Sequence, residues 1–157
     1  MTDRSVEHAT IVIERRYGVP PATVFAAWAD PAARERWFVA AEGWEIAEYS
    51  HDFRLGGRER GRFAQKKAGP VYGNDTLYWD IVPARRIIFA YTMARDGTLI
   101  SASLATVELA ADGTGTLLVF TEQGAFLDGG DQPRFREHGW NDLLDRLGVA
   151  LTGAGAA

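Results

Sequence analysis

The residues that could carry acid–base chemistry are carboxylates, tyrosines and a histidine on predicted strands and on the last helix. Glu122 lies in the strand pattern "GTLLVFTEQG", and Tyr78 and Tyr91 lie in two other strand patterns. A carboxylate close to a tyrosine hydroxyl can exchange a proton with a substrate or hydrogen-bond a ligand. Further polar residues could serve a cavity wall in the same way: Tyr72, Asp52, Arg54, Asp80 and His138.

The orientation of Glu122 follows from the period-two pattern of its strand. Leu118 and Phe120 alternate with Glu122, so the three side chains share one face, which we predict to be inward. The opposite register stays open, because both faces of this strand are apolar. An inward Glu122 needs an Arg or Tyr hydroxyl as partner, or takes up a proton more readily than a free Glu. A solvated or salt-bridged Glu at a strand end is the alternative.

Other kinds of chemistry find no support in the sequence. The chain has no cysteine, which excludes disulfides and thiolate nucleophiles. His8, His51 and His138 lie in separate segments without metal-ligand spacing. The stretch "RLGGRERG" lacks the Lys-Ser/Thr that follows the glycines of a phosphate loop. We therefore expect neither a metal nor a cofactor, and we assign no catalytic residue.

Composition limits the partners. The chain of 157 residues has 17 basic and 21 acidic side chains, a formal charge of -4 with both signs spread along it, which argues against nucleic acid. No apolar stretch approaches the roughly 20 residues of a membrane span, and the start "MTDRSVEHAT" does not resemble a signal peptide. We expect one cytoplasmic domain over residues 1–157, with a disordered tail from about residue 152. The oligomeric state is left open, a homodimer included.

One strand, two short helices, about six further strands and one long helix are predicted in that order. Asp30-Pro31 separates the two short helices, of which the first carries Trp28 and the second Trp37 and Phe38. The later segments are rich in β-branched and aromatic residues between glycine-containing turns, which is typical of antiparallel strands.

The patterns of one later strand and of the last helix bear on which side chains face inward. In "TLYWDIV" the inward set is either Thr76, Tyr78 and Asp80 or Leu77, Trp79 and Ile81, and propensity does not choose. In "DQPRFREHGWNDLLDRLGVAL" Trp140 and four leucines recur at helical spacing, which predicts an amphipathic helix of about five turns. We expect Trp140 to be buried against the sheet and His138 to be exposed.

Five patterns resemble, in their order, the SRPBCC or START-like superfamily, and within it the family similar to the activator of the Hsp90 ATPase (AHSA1-like). These are "VFAAWADPAARERWF", "DFRLGGRER", "LYWDIVPARRIIF", "GTLLVFTEQG" and "HGWNDLLDRL", which together span most of the chain. The resemblance implies an α+β helix-grip fold, in which a curved antiparallel sheet wraps the C-terminal helix and leaves a cavity. It implies the fold more firmly than the function, because this fold hosts lipid carriers, hormone receptors, polyketide cyclases and co-chaperone domains.

We expect the protein to bind a small apolar or aromatic ligand in this cavity. The predicted ligand-binding residues lie on presumed inward faces or at the cavity end: Trp28, Trp37, Phe38, Tyr78, Tyr91, Phe120, Glu122 and Trp140. For the aromatic residues that follow the first strand, a purely structural role in the core is the alternative. An enzyme of the cyclase, dehydratase or hydrolase kind that uses a cavity Glu and Tyr is the second function. A co-chaperone-like protein ranks last, because a lone domain lacks the companion segment expected of an ATPase activator.

Overall fold

The computed structural model describes residues 4–39, 43–65 and 69–152. These ranges contain seven strands: β1 (Val6–Tyr17), β2 (Trp44–His51), β3 (Arg58–Gln65), β4 (Val71–Val82), β5 (Arg86–Arg95), β6 (Thr98–Asp112) and β7 (Gly115–Leu127). They form one antiparallel sheet in the order β1-β7-β6-β5-β4-β3-β2. The first and second strands are therefore the two edges, and the expected order of elements is confirmed.

Helices occupy the gap between β1 and β2 and the end of the chain. They are α1 (Pro21–Ala29), α2 (Pro31–Arg34), which continues into a π turn (Glu35–Val39), and α3 (Pro133–Thr152). Asp30 ends α1 and caps α2, since its side chain accepts a hydrogen bond from the Ala33 N–H at 3.0 Å. The predicted break is thus a capped restart of the helix. The expected tail lies, from residue 153 onward, outside the described residues.

The inward faces of two strands answer the questions that the sequence left open. Leu118, Phe120 and Glu122 on β7 are all completely buried, which confirms the predicted register. On β4, Thr76 and Tyr78 are buried. A bulge interrupts the pairing of β4 with β5 between Tyr78 and Asp80, and the intervening Trp79 is 60% exposed.

The concave face of the sheet holds α3. Trp140, Leu144 and Leu147 are buried on one side of this helix, as its period predicts. The Trp140 ring lies 4.2 Å from the Phe120 ring, centroid to centroid. One turn beyond Trp140 along the helix, the Tyr17 hydroxyl donates a hydrogen bond of 2.8 Å to the Leu144 carbonyl. The result is a helix-grip arrangement of sheet and helix. Of the helices in the described ranges, none combines the length and apolar character needed to cross a membrane.

Candidate functional site

A cavity of about 930 Å³ lies between the inner face of the sheet and α3. Eight of the residues on its wall are aromatic, and polar or charged side chains stand among them: Phe38, Trp44, Phe63, Tyr72, Phe89, Tyr91, Phe135 and Trp140 are the aromatic ones. The helix contributes seven residues to the wall: Phe135, Arg136, Gly139, Trp140, Asp142, Leu143 and Arg146. Helix α3 packs on β7 through Trp140, whose ring lies against that of Phe120, and the cavity lies beside this contact, over the inner faces of β3 and β4.

The structure brings together three of the eight predicted ligand-binding residues at this cavity. Phe38, Tyr91 and Trp140 line it. The other five lie behind the lining and are at most 1% exposed: Trp28, Trp37, Tyr78, Phe120 and Glu122. They are part of the packed core, which is the structural alternative given above for the residues after the first strand.

Packing among the indoles explains why Trp28 and Trp37 do not reach the cavity. The Trp28 ring stacks on the Trp140 ring at 6.2 Å and meets the Trp37 ring edge-on at 4.8 Å. The Trp37 indole N–H donates to the Ala27 carbonyl at 2.8 Å. Phe38 follows in the π turn, with its ring 6.3 Å from that of Trp140, and is the residue of the three that faces the cavity.

Glu122 is the centre of a buried hydrogen-bonded group, here called the Glu122 cluster: Tyr91, Ser101, Ser103, Glu122, Asp131, Arg136 and Trp140. One carboxylate oxygen accepts from the Tyr91 hydroxyl. The other accepts from Ser103 Oγ and from Arg136 Nη1, each at 2.7 Å. Arg and Tyr are the two partner types that the sequence predicts for an inward Glu122, and the structure confirms both.

Arg136 ties this cluster to α3. Its Nη2 donates to Ser101 Oγ at 2.6 Å and to Asp131 Oδ2 at 2.8 Å. Burial alone would lower the pKa of Arg136, but the neighbouring Tyr91 and Glu122 offset this and raise the pKa above its ordinary value. Arg136 is therefore a permanent cation beside the Glu122 carboxylate.

The Tyr91 hydroxyl is saturated with hydrogen bonds. It donates to Glu122 and accepts from Arg136 Nη1 at 3.0 Å and from Trp140 Nε1 at 3.1 Å, which uses the donor and both lone pairs of a phenol. Burial first, and then the Glu122 carboxylate, raise the pKa of Tyr91 far above its ordinary value, so the hydroxyl stays protonated. Tyr91 thus presents its ring, rather than a free polar group, to the cavity.

A second buried group, here called the Arg34 cluster, lies at the β2–β4 side and consists of Arg34, Tyr49, His51, Glu59 and Tyr78. Arg34 donates to Glu59 through Nε at 3.0 Å and Nη2 at 2.9 Å, and both side chains are 1% exposed. The Tyr49 hydroxyl donates to the same carboxylate at 2.5 Å. Burial would raise the pKa of Glu59, but Arg34 holds it below its ordinary value. Arg34 and Glu59 therefore form a bidentate ion pair, and both residues belong to the inner wall of the cavity.

Aromatic rings enclose the Arg34 guanidinium. Its carbon lies 3.7 Å from the Phe38 ring centroid, 4.7 Å from that of Trp37 and 4.9 Å from that of Trp28. Cation–π attraction of this kind is strongest where water is excluded. The aromatic stretch "VFAAWADPAARERWF" therefore builds a cage for its own arginine.

His51 connects the Arg34 cluster to β4. Its Nε2 lies 2.8 Å from the Tyr78 hydroxyl and 3.9 Å from Glu59 Oε2. Burial lowers the pKa of His51 below its ordinary value of 6.5, so the ring is neutral at pH 7. His138, in contrast, is 79% exposed and sits 3.4 Å from Asp142, as expected for the outer side of α3. In the described ranges no three His, Cys, Asp or Glu side chains gather as metal ligands would.

Sequence reasoning missed Arg34, Glu59 and Arg136, which organise both clusters. A signal existed for Arg136, because it precedes Trp140 by four residues and shares its buried helix face. A weaker one existed for Glu59, which alternates with Phe63 along β3. No local signal marks Arg34, since its burial depends on where α2 docks against the sheet.

Comparison with known proteins shows one matching family and several similar structures. The family model described as Activator of Hsp90 ATPase homolog 1-like protein matches residues 18–152. An uncharacterised protein from Rhizobium leguminosarum is 47% identical, with a TM-score of 0.90 over 96% of this chain and 98% of its own. A protein from Rhizobium loti is 48% identical, with a TM-score of 0.86 over 93% and 99%. A more distant protein from Aeromonas hydrophila, described as AHSA1-like, shares the fold at 22% identity and a TM-score of 0.69 over 94% of each chain. No curated protein gives a significant match.

Proposed function

Since this chain belongs to the family of Activator of Hsp90 ATPase homolog 1-like proteins, we propose that it binds a small apolar or aromatic ligand between the sheet and α3. The observation that carries the proposal is the cavity of about 930 Å³, whose wall includes eight aromatic side chains. Pockets for small molecules are typically apolar concavities of roughly 300 to 1,000 Å³ with a few placed polar groups. This cavity matches that description in size and in lining.

The surroundings of the cavity also support binding. Protein interiors are normally close-packed, and unfilled apolar volume destabilises the fold. Here the wall is held rigid by two buried hydrogen-bonded clusters, one on each side, instead of collapsing inward. A ligand that covers Phe63, Phe135 and Leu143, none of which is fully buried, removes their apolar surface from water, which is the main source of its affinity.

Simple binding is favoured over acid–base catalysis at Glu122. The Glu122 carboxylate is completely buried and both oxygens accept hydrogen bonds. A general base must reach the proton that it abstracts, directly or through one water. Tyr91 lies between Glu122 and the cavity, and its hydroxyl already donates one hydrogen bond and accepts two. Glu122 is accordingly assigned the role of positioning Tyr91 and Arg136, while Phe38, Tyr91 and Trp140 form ligand contacts.

The test combines a titration with a variant that fills the cavity. Gly139 lines the cavity, and a Cβ added there would meet no heavy atom within 4 Å. Gly139→Phe should therefore place a ring in the cavity without disturbing the helix. Val149→Phe is the matched control, because Val149 lies on the same helix and is 58% exposed.

We expect wild-type protein and Val149→Phe to bind at least one member of a panel of biphenyl derivatives and medium-chain fatty acids saturably. Binding would be followed by tryptophan fluorescence, and Gly139→Phe should bind that member far more weakly. The proposal fails if no member binds, or if Gly139→Phe binds as the control does.

A further inference from the structure

The inner wall of the cavity carries polar atoms that have no partner in the protein. Asn74 is 5% exposed and lines the cavity, and neither its Oδ1 nor its Nδ2 has a hydrogen-bond partner within the described part of the chain. Arg34, also on the lining, is 1% exposed, and its Nη1 has none either. Buried polar side chains in native proteins are nearly always hydrogen-bonded, so each exception calls for an explanation.

The space for the Asn74 amide depends on a glycine in the neighbouring strand. Asn74 on β4 is paired with Gly61 on β3. A Cβ at Gly61 would lie 2.4 Å from Asn74 Oδ1 and 2.3 Å from Phe63 Cε2, distances at which the side chains would have to move. Only glycine at position 61 therefore lets the Asn74 amide and the Phe63 ring lie over β3.

Asn74 and Arg34 belong to one patch of the wall. Glu59, which binds Arg34, is the cross-strand partner of Thr76, and Thr76 is two residues from Asn74 on the same face of β4. These four residues line the cavity together. The unpartnered atoms of the patch are one acceptor, the Asn74 carbonyl oxygen, and two donors, the Asn74 NH₂ group and Arg34 Nη1.

The charge of the patch is balanced within the protein. Arg34 is neutralised by its two hydrogen bonds to Glu59, so an anionic ligand group would lie beside a buried carboxylate and gain little from the cation. A neutral group that both donates and accepts would satisfy the Asn74 amide reciprocally. A carboxamide or lactam presents such a group, an N–H next to a carbonyl.

We infer that the cavity is selective for apolar or aromatic molecules that carry a neutral carboxamide or lactam group, which Asn74 and Arg34 Nη1 bind at the inner end. This inference rests on the proposed function, because it names the chemical class of the ligand for the same cavity. The aromatic wall supplies affinity, and the Asn74 patch selects the polar group.

The experiment compares two probes of nearly equal shape, para-phenylbenzamide and para-isopropylbiphenyl, by isothermal titration calorimetry. They are titrated into wild-type protein, Asn74→Leu and Met93→Leu. Met93 lines the cavity as the cross-strand neighbour of Asn74, and its change to Leu keeps an apolar side chain. The free energy of hydrating each probe is the same in every titration. It therefore cancels when the ratio of the two dissociation constants is compared between proteins.

Asn74→Leu should reduce the preference for the amide by about tenfold relative to wild type, as expected for the loss of a pair of hydrogen bonds. Met93→Leu should leave the preference unchanged. Because Asn74→Leu removes an unpartnered polar group, its thermal unfolding midpoint should not fall, which checks that the variant is folded.

Three outcomes would overturn the inference. If both probes bind and Asn74→Leu leaves their ratio unchanged, the amide selectivity is wrong while the proposed function stands. If para-phenylbenzoate binds more tightly than the amide and loses as much affinity in Asn74→Leu, the group bound there is an anion. If neither probe binds saturably to wild-type protein, the inference fails together with the proposed function.

Discussion

Removal of one member of the Arg34–Glu59 pair should destabilise the protein far more than removal of both. Arg34 and Glu59 are each 1% exposed and share two hydrogen bonds of 3.0 and 2.9 Å. In Arg34→Met the Glu59 carboxylate keeps, among the described residues, the Tyr49 hydroxyl as its hydrogen-bond donor, with His51 Nε2 at 3.9 Å. In Glu59→Leu the guanidinium stays charged among three aromatic rings.

Breaking a buried pair in this way typically costs about 3 to 5 kcal/mol, whereas an apolar replacement of both partners is often close to neutral. We expect losses of that size in each single variant, and a loss within about 2 kcal/mol in Arg34→Met/Glu59→Leu. The rings that face Arg34 also pack well against the thioether of methionine. The coupling between the two positions should therefore be at least about 3 kcal/mol.

Urea unfolding followed by circular dichroism at pH 7 measures these values, with unchanged m-values as the check for a comparable fold. A second readout is pH. Without Arg34, burial raises the pKa of Glu59 above its unfolded value of 4.5, so the folded state keeps a proton that the unfolded state has lost. The deficit of Arg34→Met should then be smaller at pH 5 than at pH 7. Additive losses, or a single variant that costs less than about 1 kcal/mol, would refute this reasoning.

The remaining predictions concern the helix and a histidine. Trp140→Ala should cost about 3 to 5 kcal/mol, because the indole is 4% exposed; urea unfolding that shows a loss below about 1 kcal/mol would contradict its packing role. Tyr17→Phe should cost about 1 kcal/mol through loss of the hydrogen bond to α3, measured in the same way. The pKa of His51 is lowered by burial, so below pH 6.5 the unfolded chain binds a proton that the folded protein does not. Stability should therefore fall as the pH is lowered below 6.5, by at most about 1.4 kcal/mol per pH unit. His51→Gln should remove this slope, while the exposed His138→Gln should retain it.

The sequence was informative wherever a local period or cap determines structure. The alternation of Leu118, Phe120 and Glu122 predicts the inward carboxylate and its need for Arg or Tyr, both found in the structure. Asp30 was identified as a cap because its position before Pro31 is sufficient to predict one. The burial of Trp140 follows from helical spacing in the same way.

The composition of the cavity wall could not be predicted from such local patterns. Glu59 and Tyr49 meet because β2 pairs with β3, and Arg34 joins them only when α2 docks on that end of the sheet. The inward face of β4 depends on a bulge after Tyr78, which no propensity reveals. Sequence reasoning therefore left Trp28 and Trp37 open between a ligand contact and the core, whereas tertiary packing places both rings around Arg34.

The most direct test of ligand binding in the cavity uses the indole N–H signals of the tryptophans in a nitrogen-labelled NMR spectrum. Trp44 and Trp140 line the cavity, while Trp79 is 60% exposed on the outer face of the sheet. On titration with para-phenylbenzamide, the signals of Trp44 and Trp140 should shift along one common saturation curve, and that of Trp79 should stay in place. Shifts at Trp79 with none at Trp140, or no saturable shift at any tryptophan, would contradict the account.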